Sequence, residues 1–97
     1  MVIKAHRLTN IWEKTKGLIG AETAVPIYFD TRWGIHTFGV KFPIDILILN
    51  NSNRVVKKAE NLKPNRIWLW NPIYKIVLEL PAGEIKRLRV KMGDKVL

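Results

Sequence analysis

The chain has 97 residues, 47% of them apolar and 26% charged, with no cysteine and a formal net charge of +9. That balance excludes a disordered chain, and the length limits it to one small domain, residues 1–97, with a modest core. Missing thiols remove disulfides and thiolate metal sites, and no apolar run is long enough to span a bilayer. The N-terminus MVIKAHRLTNIWEK is charged from Lys4 onward and has no apolar core of a signal peptide, so the expected location is cytoplasmic.

The charge is unevenly placed: +3 over residues 1–20, −1 over 21–50 and +7 over 51–97. Attraction to an anionic partner is therefore expected from the C-terminal half.

In chain order, residues 2–8 read as a first strand with Ile3 and Ala5 on one face. Asn10 and Glu13 form a capping box for a short helix. Ile11, Trp12, Thr15, Leu18 and Ile19 supply its apolar face, and Gly20 ends it. Residues 24–29 read as a strand that Pro26 confines to an edge or a strand start. An extended stretch follows over residues 34–38, and Gly39 permits a bend. Ile44 to Leu49 is apolar except for Asp45 and rich in β-branched residues, which predicts a strand buried on both faces.

Asn50 to Asn53 is a turn cluster, and residues 54–60 form the return strand. A four-residue loop would pair Leu49 with Arg54, Leu47 with Val56 and Asp45 with Lys58, an ion pair across the strands. Residues 66–70 alternate Ile67 and Leu69 against Trp68 and Trp70. Residues 75–80 form another strand, Glu84 to Leu88 reads as a helical turn in preference to an alternating strand over Ile85 to Met92, and Val96 and Leu97 as a closing strand. The expected fold is mostly β (α+β): a small antiparallel curled sheet or barrel-like domain with one or two short helices.

The run GIHTFGVKFPIDILIL, followed by VLELPAGEI and then MGD, resembles an uncharacterised protein family, domain of unknown function 192, also called uncharacterised protein family 0127. Lys14 to Leu18 is similar to that family's R-x-R-G-L stretch. Val40 stands where its members often carry methionine. The resemblance runs from about Lys14 to Leu97. It implies a compact, mostly β domain and carries no activity with it.

The candidate chemistry lies in and near the first run. Asp45 is either a base in a low-dielectric site or a scaffold group accepting backbone N–H bonds or pairing with Lys58. A bend at Gly39 could bring His36 to Asp45 as an acid–base pair. No serine or cysteine nucleophile has a recognisable elbow around it, and no HxH, HExxH or CxxC spacing supports a metal. Neither GxGxxG nor a P-loop occurs, so no cofactor is expected. Glu79 either joins Asp45 in a paired-carboxylate site or meets solvent, Lys75, Arg87 or Arg89.

The leading expectation is a non-catalytic ligand- or partner-binding module with a pocket lined by His36, Thr37, Lys41, Asp45 and Glu79, its partner a small molecule or a protein. The alternative is an RNA- or DNA-binding module using Arg66, Trp68, Trp70, Lys75, Arg87 and Arg89, where cations interleave with aromatic rings. A third is an enzyme using the His36–Asp45 pair.

Overall fold

The computed structural model describes residues 1–8, 18, 20, 21, 23–32 and 34–97. The strands are β1 (His6–Arg7), β2 (Ile27–Asp30), β3 (Gly34–His36), β4 (Ile44–Leu49), β5 (Val55–Leu62), β6 (Ile67–Leu69) and β7 (Ile76–Pro81), followed by helix α1 (Glu84–Arg87). The helix expected after Asn10 lies outside the described residues, except for Leu18, which is buried in the core, and Gly20.

Five strands form one sheet in the order β1-β2-β7-β4-β5, and β3 and β6 form a separate two-stranded ribbon. Among the described residues only the β1–β2 pair is parallel. The sheet curls without closing, so the mostly β expectation holds and the barrel-like form is not completed. The first strand contracts to two residues, while the Ile3 N–H bonds to the Val96 carbonyl. Pro26 falls just before β2, and its carbonyl accepts the His6 N–H. At the C-terminus a single bridge from Lys95 to Arg54 replaces the expected closing strand.

β4 is the structural centre, and all six of its side chains are buried. Alternation sends Ile44, Ile46 and Ile48 to one face, with Ile27, Phe29 and Val77. Leu47 and Leu49 go to the other, with Leu78, Leu80, Ile85, Val90 and Val96. The ribbon covers the first face through Ile35 and Trp68. Helix α1 and the C-terminal segment cover the second. Each fully buried aliphatic side chain contributes roughly 1.5–3 kcal/mol, so this double burial is what selects the apolar run as the central strand.

The hairpin register differs from expectation. Leu49 pairs with Val55 and Leu47 with Lys58, and two irregularities interrupt the ladder. Between the Ile44–Leu62 and Ile46–Ala59 pairs, β5 carries one residue more than β4. This is a β-bulge, and Asn61 within it adopts φ 55°. Asp45 therefore faces a bulge and has no Lys58 opposite it.

Candidate functional site

Asp45 is fully buried, on the α1 side of the sheet. Its Oδ1 accepts the Asn61 N–H at 2.8 Å. Its Oδ2 accepts the Gly83 N–H at 3.0 Å and the Ile85 N–H at 2.9 Å. Gly83 is the N-cap of α1, lies in the left-handed region at φ 93° and has no side chain to cap the helix. Asp45 supplies that cap from a distant strand, using a charge that favours the positive end of the helix. One carboxylate thus ties β4, the β5 bulge and α1 together. This is the scaffold role, fulfilled by backbone donors.

Thr37 is also fully buried. Its hydroxyl donates to the Lys63 carbonyl at 2.8 Å and accepts the Arg66 N–H at 2.9 Å. Its own N–H donates to the Arg66 carbonyl, and its carbonyl accepts the N–H groups of Asn65 and Val40. Thr37 fastens the 63–66 turn to the end of the ribbon.

The neighbouring residue has the opposite fate. His36 is exposed on β3, opposite Ile67, and its ring stacks on Phe38 with centroids 5.3 Å apart. The ribbon packs on one face of the sheet and Asp45 points from the other, so the expected His36–Asp45 pair does not form. Lys41 is exposed.

Glu79 pairs across the strands with Ile46 and Ile27 and shares their face, opposite to that of Asp45. The paired-carboxylate site is therefore not assembled. Glu79 is only 6% exposed and has no hydrogen bond or ion pair among the described residues, which also corrects its expected contact with solvent, Lys75, Arg87 or Arg89. Burial raises its carboxyl pKa to about 7.

The residues expected to stack nucleic-acid bases are turned inward. Trp70 is buried, and its indole N–H donates to the Tyr74 carbonyl at 2.7 Å. Trp68 is half-buried against the core and covered by Lys57, whose Nζ lies 4.8 Å from the ring. Arg87 forms a two-pronged pair with Glu84, which holds that carboxyl below its usual range. Arg66 and Arg89 are exposed and Lys75 is half-buried. These groups are dispersed and do not form an aromatic platform.

Inward-facing tryptophans put the alternate β6 side chains outside. Ile67 and Leu69 are 66% and 61% exposed, and Phe38 is 46% exposed. With His36 they form one strip on the outer face of the ribbon. Gly34 makes the strip continuous, because Leu69 lies across it. A Cβ at Gly34 would meet Leu69 Cδ2 at 2.5 Å and the Trp68 carbonyl oxygen at 2.7 Å. The sequence reading missed Ile67, Leu69 and Phe38. The period-two alternation in RIWLW was the available signal, but it does not say which face points inward.

Among the described residues no three His, Asp or Glu side chains cluster as metal ligands, and no helix is long and apolar enough to cross a membrane.

The fold and these contacts define a small antiparallel-rich sheet domain with a carboxylate-capped helix on one face and a ribbon on the other. The DUF192 family model, described as "Uncharacterized ACR, COG1430", matches residues 4–97, so the chain belongs to this family, UPF0127. It is 39% identical over 70 residues to the UPF0127 protein of Pyrococcus abyssi (strain GE5 / Orsay), a match covering 70% of this chain and 59% of that protein. The chain therefore spans less than two thirds of that relative's length.

Two crystal structures share the fold at 24% identity. One is a protein of unknown function from Novosphingobium aromaticivorans DSM 12444, with a TM-score of 0.79 over 95% of this chain and 71% of that one. The other is a proposed transcription regulator from Sinorhizobium meliloti 1021, with a TM-score of 0.81 over 92% of this chain and 76% of that one. At this identity the likeness concerns the fold alone.

Proposed function

We propose that this domain is a non-catalytic binding module that engages a protein partner through the outer face of the β3–β6 ribbon. The observation that carries this reading is the exposure of Phe38, Ile67 and Leu69 on one continuous strip. Large apolar side chains grouped on a surface mark an interaction site more often than scattered ones do. The reading also relocates the expected pocket. The hydrogen bonds of Thr37 and Asp45 to backbone groups support a scaffold role for both, so in this reading the binding contribution of the GIHTFGVKFPID stretch falls to His36 and Phe38.

The test places a photo-cross-linking amino acid at Ile67 and, as a control, at exposed Met92. Any protein captured is identified, purified and titrated against the wild-type domain and the Ile67→Ser/Leu69→Ser variant. Capture is expected from position 67 only, and the variant should bind the purified partner at least about tenfold more weakly, the loss of two apolar contacts at an interface core. Equal binding by the variant, or adducts with nucleic acid alone, contradicts the reading.

A further inference from the structure

We infer that the occupant of this ribbon face is an extended acidic polypeptide segment bearing apolar side chains, an inference that rests on the binding reading above. The strip itself holds no lysine, arginine or carboxylate, but its frame is cationic. Residues 31–44 and 61–78 contain Arg32, Lys41, Lys63, Arg66 and Lys75 and no carboxylate. Three basic groups are tied to the strip by the fold. Arg66 immediately precedes β6. Lys63 is held beside the ribbon by its carbonyl bond to Thr37. Lys57 reaches over from β5 to donate to the Leu69 carbonyl at 2.7 Å.

The carboxylates that border these segments in sequence lie elsewhere: Asp30, at the end of β2, shares the α1-side face with Tyr28, opposite to Phe29. Asp45 points to the opposite face of the sheet, and Glu79 is buried beneath the ribbon side. Glu60 sits in the β5 bulge. Among the described residues the rim of this apolar strip is of one sign, which selects a partner carrying apolar anchors and negative charge.

Three other occupants fit less well. A second copy of this chain would set identical cationic rims against each other, between two molecules each carrying +9. A nucleic acid requires exposed ring faces for its bases, whereas Trp68 and Trp70 are turned inward and the strip presents aliphatic Ile67 and Leu69. A lipid surface could meet the charge and the apolar side chains but could not use the backbone. Among the described residues β3 and β6 pair only with each other; Lys57 already holds the Leu69 carbonyl on the outer edge of β6, so it is the β3 edge that an extended polypeptide can join.

The experiment titrates the intact chain, followed by tryptophan fluorescence, with short peptides of alternating leucine and glutamate or alternating leucine and serine. A uridine homopolymer and phosphatidylglycerol vesicles are run in parallel, all at low and at raised salt. The leucine–glutamate peptide is expected to bind about tenfold more tightly than the leucine–serine peptide at low salt, and this advantage should shrink as salt rises. Lys63→Glu/Arg66→Glu changes only exposed side chains and leaves the Thr37 backbone bonds in place. It should erase the advantage. Ile67→Ser/Leu69→Ser should weaken both peptides.

Equal affinity for the two peptides overturns the acidic occupant while leaving the binding face intact. Peptide binding that Ile67→Ser/Leu69→Ser leaves unchanged overturns the binding face as well. Failure of the acidic peptide to bind, or tighter binding to the homopolymer or the vesicles, overturns the acidic-polypeptide inference.

Discussion

Asp45→Ala is expected to destabilise the domain by about 4 kcal/mol and to lower its melting temperature by about 15–25 °C. The substitution removes three charge-assisted hydrogen bonds at once and leaves the N–H groups of Asn61, Gly83 and Ile85 without their acceptor. A hydrogen bond to a charged group contributes about 1.5–3 kcal/mol, and an unsatisfied buried donor adds its own desolvation cost. The sum is less than three full contributions because water can reach part of the Asn61 and Gly83 backbone. Domains of this size are stable by only about 5–15 kcal/mol, so the loss is a large share of the total. Asp45→Asn keeps one acceptor oxygen and should cost about half as much. Glu60→Ala, an exposed carboxylate in the same bulge, should change stability by less than about 0.5 kcal/mol. Thermal melting with backbone hydrogen exchange distinguishes them, since only the Asp45 variants should expose the three amides. A fall for Asp45→Ala no larger than that for Glu60→Ala contradicts the clamp.

Glu79→Gln is expected to make the domain more stable than wild type at pH 8 by about 3 kcal/mol, with the difference vanishing near pH 4.5. The folded carboxyl titrates at about 7, against 4.5 when unperturbed, because burial between Ile27 and Ile46 disfavours its charged form. A raised acid pKa means that the folded state holds the proton more tightly than the unfolded chain does. The group therefore opposes folding progressively as pH rises from about 4.5 to about 7, and its penalty is constant above that. Glutamine keeps the shape and does not ionise. Other carboxylates titrate over part of this range in both proteins, so the quantity to measure is the stability difference between variant and wild type, from denaturant melts across pH. A difference that is flat with pH contradicts the assignment.

The run from Ile44 to Leu49 announces its own burial, because six residues with one polar member have no second face to give to water. That Asp45 needed partners was equally legible. Which partners it has was not, because its donors are backbone N–H groups, which every residue but proline carries. The bulge that delivers Asn61 also shifts the register away from Lys58. The missing cap at Gly83 was the other half of the signal: a helix start after PAG has no side-chain acceptor, so one must come from elsewhere in the fold.

His36 and Thr37 read as a pair in the sequence, yet β-strand alternation sends one outward and one inward. In RIWLW the alternation is plain, but both faces are apolar, so only the docking of Trp68 and Trp70 onto the core decides which one water meets. The functional reading moved for the same reason, from the carboxylate-bearing strand to the strip that packing leaves uncovered.

The central claim is that the polar residues of the GIHTFGVKFPID stretch build the scaffold while the ribbon's outer face does the binding. A titration of the isotopically labelled chain with the leucine–glutamate peptide, followed through its backbone amide resonances, tests this most directly. The account predicts shifts concentrated at His36, Phe38, Ile67 and Leu69, with Asn61, Gly83 and Ile85 unmoved. Shifts concentrated at those three amides, with the ribbon silent, would return the binding site to Asp45 and contradict it.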